Sequence, residues 1–290
     1  MAKRIMGEGR TAFQRKQQER RMTDKGLKGK AVLVTGANNP LGIGAAAAKD
    51  FAREGASVFL TYLRLPPERK DTPISEVKKA TEPGWARYNA LRMKSAEEVL
   101  EAIRKEGGRA AAWEADLTDA ENIPLLFDRV EAEFGPVDVL VNNACYASDT
   151  DTIENLTAGI MDQTYAVNTR APLLLIAEYV RRYKKNTREW GRIVNLSTGP
   201  AQHFTTQVTY GSSKAAIEAF TRAAAAALGA LGITVNAIAP GPTQTGYIDK
   251  ELEESLVPTI PMRRLGQAED IANAILFLCS EQAAWITGQV

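Results

Sequence analysis

Short apolar runs alternate along this chain with longer segments in which apolar positions recur every three or four residues. The apolar runs cover residues 30–35, 57–62, 110–115, 137–141, 191–196 and 233–238, and a last one begins at Ile286. Helical patterns lie between them at 45–54, 95–106, 120–134, 157–183, 210–228 and 269–280. This alternation predicts an α/β fold: a doubly wound parallel sheet covered by helices on both faces, in a single domain.

The residues that can carry chemistry follow the ends of these predicted strands. They are Gly36 to Gly44 after the first run, Asp116-Leu117 after the third, Asn142 to Cys145 after the fourth, Ser197-Thr198 after the fifth and Pro240 to Thr243 after the sixth. Ligands of doubly wound sheets bind beyond the carboxyl ends of the strands. We therefore expect these segments to form one site.

The first of these segments is a glycine-rich turn between a strand and a helix. Gly36, Gly42 and Gly44 let backbone N–H groups approach a pyrophosphate, and the helix that follows offers unpaired donors and a partial positive charge. This predicts a dinucleotide site. The spacing Gly-x5-Gly-x-Gly is two residues longer than the tighter Gly-x3-Gly-x-Gly, and Pro40 lies in the lengthened part.

Tyr210 and Lys214 lie at the start of an alanine-rich helical segment, four residues apart. This spacing puts both side chains on one helix face. An ammonium beside a phenol favours the phenolate, so we expect the pKa of Tyr210 to lie below its usual value and the phenol to exchange protons near neutral pH. The alternative is an ordinary surface pair, since this spacing often occurs by chance.

Composition narrows the possible functions. The 36 Lys and Arg nearly balance the 35 Asp and Glu, so charge gives no argument for binding nucleic acid or an anionic membrane. Charges interrupt every apolar helical stretch, so no transmembrane span is expected. Cys145 and Cys279 are far apart, which suggests a reducing, cytoplasmic location without disulfides. With one histidine and no metal-like cysteine spacing, no metal site is expected.

Two segments depart from the alternating pattern. Residues 1–26 are basic and poor in apolar residues, and we expect a weakly ordered extension before a domain spanning 27–290. Residues 64–94 contain four prolines and many charges, and they separate a strand from its helix by far more than the usual loop. This insertion is either a surface excursion or a flap over the adenosine end of a cofactor.

Taken together, these motifs resemble the short-chain dehydrogenase/reductase family, whose fold is a Rossmann fold, over about 27–290. The glycine turn resembles the family's cofactor turn, Asn142 to Cys145 its Asn-Asn-Ala-Gly signature, and Tyr210-x-x-x-Lys214 its catalytic pair. Within the family the chain looks most like the 3-oxoacyl-[acyl-carrier-protein] reductase-like members. About ten further residues are usual at the C-terminus, so we expect the last strand to be short and the subunit interface there to be weakened.

The resemblance implies roles for five residues. Tyr210 would exchange a proton with the substrate oxygen, and Lys214 would lower its pKa and bind the nicotinamide ribose. A hydroxyl after the fifth strand would hold the substrate oxygen. Counting along that strand gives Thr198, whereas counting back from Tyr210 gives Ser197. Asn168 would anchor a water that relays protons, or would bridge a kink in its helix.

The resemblance also implies the residues that contact a dinucleotide. They are Gly36, Asn38, Gly42, Ile43, Gly44, Tyr62, Arg64, Asp116, Leu117, Asn143, Ala144, Tyr210, Lys214, Pro240, Gly241 and Thr243. The second strand ends in Thr61-Tyr62-Leu63-Arg64, without the carboxylate that binds the ribose of NAD. A nearby guanidinium suits a 2′-phosphate, so we expect NADP with Arg64 as its partner, and NAD as a possible substitute.

Cys145 takes the place of the signature's last glycine, and we interpret it as a buried small apolar residue. His203, Phe204 and Tyr247 are expected in the substrate pocket by position. We expect a reductase or dehydrogenase of a ketone or secondary alcohol, either free or carrier-linked. The alternative is a catalytically weak dinucleotide-binding sensor or scaffold. The helical segments 157–183 and 210–228 have partly uncharged outer faces, which favours a homodimer or homotetramer.

Overall fold

A computed structural model describes residues 25–66, 77, 79–147, 151–186, 188–199, 201 and 204–290. Six parallel strands form the central sheet in the order β3-β2-β1-β4-β5-β6. They are β1 (Ala31–Thr35), β2 (Ser57–Tyr62), β3 (Arg109–Glu114), β4 (Val139–Asn142), β5 (Gly191–Leu196) and β6 (Ile233–Ile238). Strand order reverses between β1 and β4, which is the point where ligands bind in sheets of this kind.

Nine helices are assigned in the described part of the chain. They are α1 (Ile43–Arg53), α2 (Trp85–Arg92), α3 (Glu97–Lys105), α4 (Asn122–Phe134), α5 (Ala158–Tyr165), α6 (Ala171–Lys185), α7 (Val208–Leu228), α8 (Lys250–Leu256) and α9 (Ala268–Cys279). A two-stranded ribbon joins β7 (Thr243–Gln244) to β8 (Gly266–Gln267). None of the described helices is long and apolar enough to cross a membrane.

Successive side chains along each strand point to opposite faces of the sheet and pack into two separate apolar layers. On β1, Val32 and Val34 pack with α1, α3 and α9, whereas Leu33 faces α4, α6 and α7. The central strands β1, β4 and β5 are buried along their whole length. Burial on both faces explains why they read as continuous apolar runs instead of alternating ones. The predicted fold class is therefore confirmed.

The structure differs from the predicted elements in three places. The helix expected at 157–183 is two helices, α5 and α6, joined by a π-helical turn at Ala166–Arg170. In the part of the chain that the structure describes, no strand follows β8, although Gly288 donates to the Val235 carbonyl and Ala237 to that of Gln289. Helix α2 lies within the insertion, whose proline-rich and charged sequence predicts partial helix without bounds, and α8 was not predicted.

Candidate active site

One cavity of about 1230 Å³ opens where the strand order reverses. Its lining includes fourteen of the sixteen predicted dinucleotide contacts: Gly36, Asn38, Gly42, Ile43, Tyr62, Asp116, Leu117, Asn143, Ala144, Tyr210, Lys214, Pro240, Gly241 and Thr243. Ser197 and Thr198 also line it. Gly44, Arg64 and Asn168, all within the described chain, do not. The strand-end segments therefore share one cavity, as their positions in the sequence indicated.

The turn after β1 requires its glycines for close approach. Gly36 has φ +68°, and a Cβ there would lie 2.7 Å from the Ala144 Cα. A Cβ on Gly44 would lie 2.6 Å from the Asn143 amide nitrogen. Gly44 thus serves the contact between the β1 and β4 loops, which explains why it is absent from the cavity lining.

This turn has the features that a pyrophosphate site needs. Helix α1 begins after Gly42, and no side chain caps its first turn. Its N–H groups are therefore available to an anion at the cavity wall. On the opposite side Gly241 lines the cavity, and a Cβ there would meet no protein atom within 4 Å. The residues present fit a dinucleotide.

Polar side chains hold the strand ends under the cavity together. Thr35 Oγ1 accepts hydrogen bonds from the backbone N–H groups of Asn143 and Ala144, each 2.9 Å long. The Asn143 side chain donates to the carbonyls of Thr35 (2.8 Å) and Gly36 (2.9 Å). These four hydrogen bonds hold the loop after β1 against the loop after β4, and the two loops form the floor of the cavity.

A second chain of hydrogen bonds joins the neighbouring strands to α7. The Asn142 amide donates to Asn195 Oδ1 (2.8 Å), and the Asn195 amide donates to Thr221 Oγ1 (2.9 Å). Asn195 and Thr221 are fully buried. This chain fixes the position of α7, and with it Tyr210 and Lys214, relative to the sheet.

Tyr210 lies in the first turn of α7 with its hydroxyl beside two side chains. It is hydrogen-bonded to the side chains of Thr198 and Cys145. Burial is the main cause that raises the pKa of Tyr210 above its ordinary value; the nearby Cys145 raises it further, and the hydrogen bond with Thr198 lowers it. The predicted lowering of this pKa is therefore wrong in this structure.

The position of Lys214 explains this outcome. Its Nζ donates to the Leu196 carbonyl at 2.7 Å and lies 5.7 Å from the centroid of the Tyr210 ring. The two residues share a helix face, as the spacing predicted, but Lys214 is not among the main causes of the pKa shift. Because the Lys214 ammonium donates to the Leu196 carbonyl and lies beyond the Tyr210 ring, its charge does not offset the effect of burial on the pKa of Tyr210.

The two candidate hydroxyls after β5 have different partners. Ser197 is buried, and its hydroxyl donates to Glu218 Oε1 at 2.6 Å. Thr198 is half-buried and is hydrogen-bonded to Tyr210. Only a hydroxyl beside the phenol can share a substrate oxygen with it, so the geometry favours Thr198.

Asn168 lies in the π-helical turn between α5 and α6, almost completely buried. Its amide donates to the Tyr146 carbonyl (2.7 Å) and to Ser213 Oγ (3.1 Å), and its oxygen accepts from the Tyr146 N–H (2.8 Å). The side chain therefore joins the loop after β4 to α7 across a kinked helix. Its role in a water relay stays a prediction.

The two cysteines lie in opposite environments. Cys145 is exposed and lines the cavity, so its interpretation as a buried apolar residue is wrong. Cys279, in contrast, is fully buried, and burial raises the pKa of its thiol to about 12. No pattern in the sequence separates the two cysteines, since the burial of each depends on how the folded elements pack around it.

The insertion forms part of the cavity wall through α2. The Asn38 amide donates to the carbonyls of Arg92 (3.2 Å) and Lys94 (2.9 Å). Next to it, the Asn39 amide donates to the Thr245 carbonyl at 2.9 Å. The lengthened glycine turn thus holds both α2 and the segment after β7. In its described part, the insertion is more than a surface excursion.

Aromatic rings attach the other end of α2 to the segment after β7. Trp85, Tyr88 and Tyr247 contact one another with centroid distances of 5.7–5.9 Å. The Gly84 N–H donates to the Gly246 carbonyl at 2.8 Å. Tyr88 and Tyr247 line the cavity, which places Tyr247 in the pocket as predicted.

Phe204 packs against the Tyr210 ring, edge to face, with a centroid distance of 5.5 Å. The third expected pocket residue, His203, lies outside the described residues. Sequence reasoning missed Tyr88, Arg92 and Thr245 as lining residues. The available signal was Trp85-x-x-Tyr88-x-x-x-Arg92, because offsets of three and seven put these side chains on one helix face.

Arg64, the predicted partner of a 2′-phosphate, forms an ion pair at the end of β2. Its Nε lies 2.8 and 3.0 Å from the two carboxylate oxygens of Glu114, and its backbone N–H also donates to that carboxylate. The pair raises the pKa of Arg64 and lowers that of Glu114. The guanidinium is therefore directed at the end of β3.

Asp116, one of the expected dinucleotide contacts, lines the cavity at the end of β3. Its Oδ1 accepts hydrogen bonds from the N–H and the hydroxyl of Thr118, each 2.8 Å long. Asp116 Oδ1 thus stabilises the loop that follows β3. No group of three or more potential metal ligands is present among the described residues.

Several known proteins similar to this chain in sequence or structure are described as reductases, oxidoreductases or dehydrogenases. A family model described as enoyl-(acyl carrier protein) reductase matches residues 77–290. YjdA of Bacillus subtilis, an uncharacterised oxidoreductase, is 34% identical over 262 residues, which span 90% of this chain and 94% of the relative. A short-chain dehydrogenase/reductase from Serratia marcescens BCRC 10948 has a similar structure, with a TM-score of 0.74, 31% identity, and coverage of 91% of this chain and 95% of its own.

A further solved structure contains a dinucleotide. It is a blue fluorescent protein from a metagenomic library in complex with NADPH, with a TM-score of 0.72 and 28% identity. The likeness covers 91% of this chain and 95% of that one.

Proposed function

This chain belongs to the short-chain dehydrogenase/reductase family and is an NAD(P)-dependent oxidoreductase, and we propose that it is an NADPH-dependent reductase of a ketone. In reverse it would oxidise the matching secondary alcohol. The observation that supports this proposal best is the placement of Tyr210, hydrogen-bonded to Thr198, in the cavity that begins at the glycine turn. A phenol and a hydroxyl that share one oxygen site can bind a carbonyl and protonate it.

The proposed reaction balances with one hydride and one proton. A dinucleotide held by the turn after β1 and by Lys214 would supply the hydride to the carbonyl carbon. The Thr198 hydroxyl donates a hydrogen bond to the substrate oxygen and orients it. Tyr210 Oη releases its proton to that oxygen as the carbon–oxygen double bond becomes single. A pKa raised by burial keeps the phenol protonated before this step, which suits a proton donor in the direction of reduction.

The remaining residues would bind and position the cofactor. The N–H groups at the start of α1 would hold the pyrophosphate. Lys214, anchored by the Leu196 carbonyl, would bind the nicotinamide ribose. Asn168 would act through the loop after β4, where its side chain binds Tyr146. If a water joins the site, Asn168 is the proposed anchor for its proton relay.

Two observations support NADPH as the cofactor. The end of β2 carries Tyr62-Leu63 where NAD enzymes have a carboxylate, so this position itself does not repel a 2′-phosphate. The metagenomic neighbour of similar fold is described in complex with NADPH. We propose a small-molecule ketone as the substrate, with carrier-linked 3-oxoacyl thioesters as one candidate class, because the matching family model is described by an acyl-carrier reductase.

We also propose a homodimer or homotetramer built on α5, α6 and α7. The outer side of α7 exposes Ala219, Ala223, Ala226 and Ala227. Small side chains allow two helices to approach closely across a two-fold axis. Sedimentation of the purified chain tests this: a monomer at micromolar concentration would contradict it.

The experiment for the proposed function measures oxidation of NADPH and NADH with 3-oxoacyl thioesters, quinones and keto sugars. Turnover of a ketone with NADPH, at an efficiency well above that with NADH, is the expected result. Equal efficiency would contradict the cofactor proposal. Tight NADPH binding with no turnover of any ketone would instead favour a dinucleotide-binding sensor.

A further inference from the structure

Tyr247, in the segment after β7, lies in the same part of the cavity as Tyr210. Both phenols line the cavity, and the Tyr247 side chain is half-buried. Burial is the main cause of the raised pKa of Tyr210, and the nearby Tyr247 adds to it, so the two hydroxyls lie within range of each other's charge. The exposed part of the Tyr247 ring is therefore available to the organic group of a ketone bound at Tyr210.

The backbone around Tyr247 forms a turn that the preceding strand holds in shape. The side-chain amide of Gln244 donates to the Ile248 carbonyl at 2.8 Å, and its oxygen accepts from the Gly246 N–H at 3.0 Å. Ile248 is fully buried below the turn. These contacts fix the backbone of residues 244–248, whereas the ring of Tyr247 is held from a distant part of the chain.

Helix α2 of the insertion supports this ring. The Tyr247 centroid lies 5.7 Å from that of Trp85 and 5.9 Å from that of Tyr88. Trp85 and Tyr88 also contact each other edge to face, with centroids 5.8 Å apart. Tyr88 lines the cavity, but Trp85, which the structure also describes, does not. Trp85 can therefore affect a bound substrate only through its neighbours.

The backbones of the turn and of α2 approach each other closely beside these rings. The Gly84 N–H donates to the Gly246 carbonyl at 2.8 Å. Gly246 has φ +103°, and a Cβ there would lie 3.1 Å from Leu91 Cδ1. Gly84 precedes α2 and Leu91 lies near its end, so the turn contacts the helix along its whole length.

We propose that Trp85 is a positioning residue for the substrate, which acts by fixing the ring of Tyr247 against the organic group of the ketone. The inference rests on the proposed reduction of a ketone and assigns part of its recognition to the insertion. A phenol ring presents an apolar face, so the group that Tyr247 binds is apolar. The insertion thereby contributes to substrate specificity without supplying a reacting group.

This role predicts a particular kinetic signature. The contact with Tyr247 involves the substituent of the ketone and not the reacting oxygen, so it is the same before and during hydride transfer. An interaction of equal strength in the ground state and the transition state lowers KM and leaves kcat unchanged. Loss of the support from Trp85 should therefore raise KM for an apolar ketone alone.

The test measures kcat and KM of the full chain for 4-phenylbutan-2-one and for butan-2-one at saturating NADPH. The unsubstituted protein is expected to have the lower KM for the phenyl ketone. Trp85→Leu should raise that KM about 3- to 10-fold and leave kcat and the KM for butan-2-one within about two-fold. Trp85→Phe keeps a ring and should restore the KM. Trp113→Leu is the matched control, because this half-buried tryptophan packs against Arg129 outside the cavity lining.

Two further measurements separate positioning from general support of the fold. Tyr247→Leu should raise the KM for the phenyl ketone about 10-fold, and adding Trp85→Leu should raise it no further, because no ring is left to position. Hydrogen exchange of residues 244–248 should become faster in Trp85→Leu and stay unchanged in Trp113→Leu.

The outcomes distinguish the inference from the proposed function. Turnover of no ketone in a wider panel would contradict the proposed function, and the inference would be lost with it. If ketones are reduced but the phenyl ketone has no lower KM, or Trp85→Leu leaves its KM unchanged, the inference alone is wrong. Additive effects of Trp85→Leu and Tyr247→Leu, or an equal rise in KM for both ketones, would show that Trp85 only supports the fold, which also overturns it.

Discussion

The two walls of the cavity are built in different ways. The wall formed by β1, β4, β5 and α7 is held by buried side-chain bonds, such as the chain from Asn142 through Asn195 to Thr221. The wall formed by α2 and the segment after β7 is held by aromatic contacts and by hydrogen bonds from the amides of Asn38 and Asn39 to backbone carbonyls. The first arrangement fixes the position of the reacting groups. The second attaches the insertion to a sheet that already positions those groups.

The largest expected effect lies in the first wall, at the reacting group itself. Tyr210→Phe removes the only proton that the phenol can give while keeping the ring against Phe204. We expect kcat/KM for ketone reduction to fall about 10²- to 10⁴-fold. NADPH binding, followed by fluorescence, should stay within a factor of a few. Retention of the full rate would remove Tyr210 from the mechanism.

Replacing the two hydroxyls after β5 separates chemistry from support. Thr198→Val should lower kcat/KM about 10²-fold, because one hydrogen-bond donor to the reacting oxygen is lost. Ser197→Ala should change kcat little but destabilise the fold by about 1–2 kcal/mol, since it removes the hydroxyl that donates to the buried Glu218 carboxylate. Steady-state kinetics and urea unfolding measure both variants. A larger kinetic loss in Ser197→Ala would reverse the assignment.

Removing one asparagine from each wall tests the comparison directly. Asn195→Ala breaks two fully buried hydrogen bonds and should cost about 2–3 kcal/mol of global stability. Asn38→Ala breaks two bonds that water can partly replace, so global stability should fall by less than about 1 kcal/mol. Hydrogen exchange should nevertheless become faster in α2. Equal global costs would mean that both walls belong to one cooperative unit.

The smallest expected effect concerns pH. Cys145 raises the pKa of Tyr210, so Cys145→Ala should lower it. Reduction needs the protonated phenol and is lost as pH rises through this pKa; the loss should therefore begin at lower pH, with rates about two- to five-fold below the unsubstituted protein in that range. Alcohol oxidation should show the opposite change. Cys279→Ala serves as control, and an unchanged profile in Cys145→Ala would contradict the contact's influence.

The first wall was accessible from the sequence because it consists of regular elements. Strand ends in a parallel sheet converge whatever the loops do, so the residues after β1, β3, β4, β5 and β6 could be placed together by pattern alone. The Tyr210–Lys214 spacing likewise predicted a shared helix face. What it could not give was the sign of the pKa shift, which depends on burial and on Lys214 turning to a carbonyl of another element.

The second wall could not be predicted, because its contacts join segments distant in sequence. Asn39 and Thr245 are separated by 206 residues, and no local pattern relates them. Arg64 occupied the expected place along the chain, but the register Tyr62 with Glu114 brings a carboxylate beside it from β3. The partner of Arg64 thus depends on pairing across the sheet, which the local sequence does not encode.

Asn38 and Asn39 are neighbours in the lengthened turn, yet they bind different parts of the wall. The turn's extra length and the insertion are for that reason expected to have a shared history. Relatives whose turn has the shorter spacing should lack a helix equivalent to α2, or should secure it by other contacts. Gains and losses of the two features should coincide across a phylogeny.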